Sequence, residues 1–74
     1  MRRGRGLSLA QRRVYDFIVQ YIEDNGYSPT YGEIAHGLGY ASNTTAYTHV
    51  ESLLDMGLLA KKSSGPTRGI IVAG

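Results

Sequence analysis

"YSPTYGEIAHGLGYASNTTAYTHVESLL", residues 27 to 54, carries the punctuation that decides the fold. Pro29 disfavours helix at Ser28 and has no N–H to donate, so the stretch opens as an extended connector. Thr30 with Glu33 is a capping-box pair: the hydroxyl takes a backbone N–H and the carboxylate reaches back. A short helix therefore begins after Thr30, runs through Ile34, Ala35 and Leu38, and stops at Gly39. After "GYA", Ser42 is a good N-cap for a third helix. Its inward positions are Ala46, Val50, Leu53 and Leu54, and Gly57 lies just past its end. This is a short helix, a tight turn and a longer helix in direct succession.

Upstream, Ser8 and Gln11 form a second capping-box pattern. Ala10, Val14, Phe17, Ile18, Tyr21 and Ile22 then make one apolar stripe at a period near 3.6, and Asn25-Gly26 supplies a left-handed stop. Residues 1–6, "MRRGRG", have no apolar anchor and are expected to be a flexible basic arm. Downstream, "GLLAKKSS" and "RGIIVAG" flank Gly65-Pro66-Thr67, a turn-rich centre between short apolar runs, which fits a β-hairpin. The expected fold is α+β and mostly helical, three helices plus a C-terminal β-hairpin, the winged helix-turn-helix plan, over residues 7–74.

Seventy-four residues allow one small domain with a limited core. There is no cysteine, hence neither a disulfide framework nor a thiolate metal site, and His36 and His49 lack a partner at ligand spacing. No nucleophile–base pair stands out, so neither an enzyme, a metal nor another cofactor is expected. The arginines at the start are followed by no long apolar run, so no signal peptide or membrane span is expected and the chain reads as cytoplasmic. The net charge is only +2, but it is sorted. Arg2, Arg3, Arg5, Arg12 and Arg13 open the chain, Lys61, Lys62 and Arg68 close it, and residues 14 to 60 hold all six acids and neither Lys nor Arg. Composition alone leaves two readings open, a solvated charge asymmetry and a surface for a polyanion.

The stretches "LSLAQRRVYDFIVQYIEDNGYSPTYGEIAHGLGY" and "HVESLLDMGLLAKKSSGPTRGI" resemble the DNA-binding domain of the LexA repressor family over almost all of residues 7 to 72. The most specific pieces are Gly26, Pro29, Thr30, Glu33, Ile34, Ala35, Leu38 and Gly39 at matching spacing, then Gly57 and Arg68-Gly69-Ile70. The resemblance implies a sequence-specific regulator of transcription, a repressor of bacterial or phage type, acting on double-stranded DNA. It also implies that Ser42, Thr44, Thr45, Tyr47 and Thr48 hold groove-facing positions. Repressors of this family carry a further domain with a serine–lysine protease dyad and the dimer interface. The chain is expected to be LexA-like without that protease domain. The residues of its third helix differ from the family's usual ones, so the operator sequence does not carry over.

The segment "NTTAYTHV" has no Lys or Arg, and groove reading does not need them. Specificity comes from hydrogen-bond patterns and methyl contacts at base edges, whereas Lys and Arg mostly fix register on phosphates. Asn43 can offer its amide to adenine, and Thr44 and Thr45 each offer a hydroxyl and a methyl suited to thymine. The outward face is expected to hold Thr44, Tyr47, Thr48 and Glu51. Ser42 is a base-reading candidate by position, although its cap role explains it as well. The backbone candidates are the basic ends: Arg2, Arg3 and Arg5 on the arm, and Lys61, Lys62 and Arg68 on the hairpin. One such module neutralises few phosphates, which leaves three readings open: a homodimer on a two-half-site operator, binding to two sites side by side, or a piece of a longer chain. A rival of another class is a protein-interaction module that docks on a host regulator or polymerase subunit through Tyr47 as an exposed anchor. Tyr15, Tyr21 and Tyr40 fall at or beside apolar stripe positions and are expected in packing.

Overall fold

The chain's structure is a computed structural model that describes residues 7–61 and 69–73. The arm expected over residues 1–6, with Arg2, Arg3 and Arg5, lies outside the described residues, as do Lys62, Arg68 and the hairpin turn. Three helices come first: α1 (Leu9–Asn25), α2 (Tyr31–Leu38) and α3 (Asn43–Asp55). Two short strands follow, β1 (Leu59–Lys61) and β2 (Ile70–Val72). They pair antiparallel, with Leu59 opposite Val72, Ala60 opposite Ile71 and Lys61 opposite Ile70. This is the winged helix-turn-helix arrangement that the punctuation predicts.

Both capping boxes form. Gln11 N–H donates to Ser8 Oγ at 3.1 Å, and Ser8 N–H donates to Gln11 Oε1 at 3.0 Å. At α2, Glu33 N–H donates to Thr30 Oγ1 at 3.0 Å and Thr30 N–H to Glu33 Oε1 at 2.9 Å. Each pair occupies N–H groups that the first turn of a helix leaves without partners.

The core is a single cluster assembled from every element. Val14 and Ile18 of α1, Ile34 and Ala35 of α2, Ala46, Val50 and Leu53 of α3, Leu59 of β1 and Ile70 of β2 are all buried. Tyr15, Phe17, Ile22, Leu38, Tyr40 and Leu54 pack against it from the rim. Val14 and Ile18 are four apart, as are Ala46 and Val50, so each helix buries one stripe. Tyr15, Tyr21 and Tyr40 serve packing as expected: two lie against the core and Tyr21 stands 6.0 Å from the Phe17 ring.

Helix α2 passes so close to α1 that a β-carbon at Gly37 would lie 2.4 Å from Phe17 Cε2 and 2.5 Å from Cζ. Alanine at an exposed helical glycine ordinarily gains about 0.5–1 kcal/mol. Here the half-buried ring would have to leave its place between α1 and α2, and overpacking of that kind costs about 1–3 kcal/mol. Gly37→Ala is therefore expected to lower stability despite better helix propensity, by about 1 kcal/mol, or a melting-temperature fall of roughly 4–8 °C. A thermal melt by circular dichroism measures it. A rise in melting temperature would show that the ring yields freely.

Candidate nucleic-acid interface

Helix α2, the connection through residues 39–42 and α3 form one unit. Gly39 takes φ 79°, and Tyr40 N–H donates to Ala35 O at 2.8 Å while Gly39 N–H donates to His36 O at 3.3 Å. That paired closure ends α2 and requires a left-handed residue, which glycine adopts without penalty. The chain then extends to Ser42, whose Oγ accepts from Thr44 N–H at 3.0 Å. Ser42 thus performs the cap role its residue type predicts.

With Ala46, Val50 and Leu53 fully buried, the rotation of α3 about its axis is fixed. Asn43, Thr44, Thr45, Tyr47 and Thr48 are exposed as a consequence. They occupy the first two turns, and Ser42 is exposed beside them. Glu51, expected outward with them, is half-buried. It sits a turn further on along α3, a helix that packs on α1, α2 and β1. At ~1.5 Å rise per residue, Glu51 and Asp55 lie roughly 10 and 16 Å along the axis from Thr44. The anionic side chains therefore belong to the far end of the helix, and its first two turns carry no charged side chain.

The exposed side chains are not equivalent. Thr48 Oγ1 donates its proton back to Thr44 O at 3.0 Å, leaving a methyl and oxygen lone pairs for the outside. The Thr44 and Thr45 hydroxyls make no such bond among the described residues. Asn43 lies against α2: a β-carbon on Gly32 would stand 3.4 Å from Asn43 Nδ2. Tyr47, 47% exposed, meets Tyr31 of α2 edge to face, with ring centroids 5.2 Å apart and planes at 81°. Sequence reading missed Tyr31 and Gly32, because periodicity within one helix does not show which residue of another helix it faces. The Thr44–Thr48 bond was open to it, since a threonine four residues on commonly bonds a helical carbonyl. His49 is half-buried with its ring 5.9 Å from Tyr40, and His36 is exposed. Among the described residues no group of His, Asp or Glu is placed to hold a metal ion.

Of the basic candidates within the described residues, Lys61 is exposed at the end of β1, the strand that packs on α3. Arg12 and Arg13 are exposed on α1, and Arg12 pairs with Asp16 at 3.5 Å. No described helix is long and apolar enough to cross a membrane.

A capped, rotationally fixed and uncharged helix end, presented by a helix-turn-helix beside a two-stranded wing, defines a winged helix DNA-binding domain. Within that class the chain belongs to the LexA DNA binding domain family, whose model matches residues 4–69. A LexA repressor of Desulfatibacillum aliphaticivorans is 39% identical over 66 residues, 89% of this chain and 32% of that one. One from Koribacter versatilis is 40% identical over 55 residues, 74% of this chain and 26% of its own length. One from Carboxydothermus hydrogenoformans is 36% identical over 67 residues, covering 90% and 33%. The chain thus spans about a third or less of the curated relatives it matches.

Proposed function

We propose that this domain represses transcription by binding operator DNA, with the first two turns of α3 in the major groove and the basic ends on the backbone. The observation that carries the reading is the exposed row Asn43, Thr44, Thr45, Tyr47 and Thr48, on a helix whose other face is locked into the core. Such a row offers amide, hydroxyl and methyl groups, which is the chemistry of base edges. Ser42 caps the helix and approaches the duplex with it, and the positive N-terminal end of the helix favours a phosphate there. Lys61, Lys62 and Arg68 hold the backbone from the wing, and Arg2, Arg3 and Arg5 from the arm. Two copies on a two-half-site operator would supply the affinity that one small module lacks. The setting is the cytoplasm of a bacterium, whether the gene is the cell's own or a phage's. Docking on a regulator or polymerase subunit is not favoured for a chain of this family.

The test is selection of preferred duplexes from a random pool, followed by gel shifts on selected and scrambled duplexes at one salt concentration. Thr44→Ala, which removes a hydroxyl with no hydrogen bond among the described residues, is expected to cost roughly 1–3 kcal/mol on the selected duplex and almost nothing on the scrambled one. Thr48→Ala removes a methyl and an acceptor only, and is expected at the low end of that range. Both positions are exposed and alanine is the better helix former, so the melting temperature should hold or rise slightly. Equal losses on both duplexes would remove α3 from base reading.

A further inference from the structure

The first turn of α2 touches the reading face: Tyr31 meets the ring of Tyr47 edge to face at 5.2 Å. Tyr31 is half-buried, packed against the core, whereas Tyr47 is 47% exposed. One ring is thus anchored and the other rests on it. A tyrosine on an exposed helix face is otherwise free to choose among its rotamers, and ordering a side chain on binding opposes affinity. An edge-to-face partner removes part of that freedom beforehand.

We infer that Tyr31 is a positioning residue for DNA recognition: it acts through Tyr47, holding that ring in the orientation in which it meets the base edges. The α2-facing edge of α3 is in this way templated by α2, and sequence preference depends on a residue outside the reading helix. The inference rests on the proposal that α3 reads bases.

The experiment is a double-mutant cycle on Tyr31 and Tyr47, read as the ratio of affinity for a selected duplex to that for a scrambled one, at fixed salt. Tyr47→Ala first establishes that Tyr47 contributes to the ratio. Tyr31→Ala is then expected to lower the ratio roughly two- to tenfold, the scale of one aromatic pair. In the Tyr47→Ala background it is expected to change the ratio hardly at all, because its route to the DNA is gone. Tyr31→Phe keeps the ring and is expected to restore the ratio, which also separates the effect from any loss of stability in the alanine variant. The same fold-loss in both backgrounds would overturn the inference, because Tyr31 would then act without Tyr47. So would a loss equal on both duplexes, the mark of a backbone contact or of unfolding. A wild-type domain without preference between the duplexes would instead remove the reading of bases by α3 on which the inference rests.

Discussion

Replacing Leu53 by alanine is expected to leave the domain largely unfolded at 37 °C. Leu53 is fully buried in α3, the helix that packs on α1, α2 and β1 together. Truncating such a leucine removes its transfer free energy and leaves a cavity, at a cost of about 2–5 kcal/mol. A single core in a chain of this length rarely supplies more than about 3–5 kcal/mol in total. The one loss is therefore comparable with everything the fold has to spare. Leu53→Met, which conserves volume, should cost less than about 1.5 kcal/mol and serves as the control. Thermal melts followed at the helical circular-dichroism band measure both. DNA binding by the alanine variant should fall on every duplex alike, in step with the folded fraction, which sets it apart from Thr44→Ala. A drop of only a few degrees in melting temperature would mean that the core collapses around the cavity or does not depend on the α3 stripe.

The parts of this fold that the sequence announces are those set by near neighbours. Ser8 with Gln11, and Thr30 with Glu33, are three residues apart and need only a helical turn to meet. The stops at Gly26, Gly39 and Gly57 take φ of 83°, 79° and 80°, and each was marked by a glycine after an apolar stripe. Burial of Ala46, Val50 and Leu53 followed from their period, and with it the exposure of Thr44, Tyr47 and Thr48. What stayed hidden depends on how the helices cross. The Phe17 ring over Gly37, the Tyr31–Tyr47 pair and the Asn43 amide beside Gly32 each join two helices, and neither partner's spacing within its own helix points to the other. Glu51 shows the same limit, since it is half-buried although the helical wheel of α3 alone puts it outward. The wing was legible as two short apolar runs, which among the described residues pair over three residues on each strand.

The largest effect on binding is expected from the wing. The first two turns of α3 hold no charged side chain, and the nearest acids on the helix, Glu51 and Asp55, would not attract a duplex. In the proposed binding mode phosphate neutralisation therefore falls to the ends of the chain, where Lys61, Lys62 and Arg68 are three of its eight cations. Lys61 stands exposed on the strand that packs on α3, and in the proposed mode it meets the backbone of a duplex seated on that helix. Each phosphate contact contributes about −0.9 to the slope of log affinity against log salt. Replacing all three by alanine should flatten that slope by up to about 2.7. Between roughly 50 and 200 mM salt, a fourfold change, the salt-induced loss of affinity should then be about 40-fold smaller than for the unaltered chain. At low salt the variant should bind every duplex more weakly, selected and scrambled alike, because phosphates carry no sequence. The ratio between the two should survive, the reverse of the Thr44→Ala result. Buried Leu59 and Ile70 hold the strands of the wing to the core and are untouched, so the melting temperature should stay within a few degrees. Affinity and slope that both match the unaltered chain would move the duplex off the wing. The arginines of the arm, or Arg12 and Arg13 on α1, would then have to carry the backbone contacts.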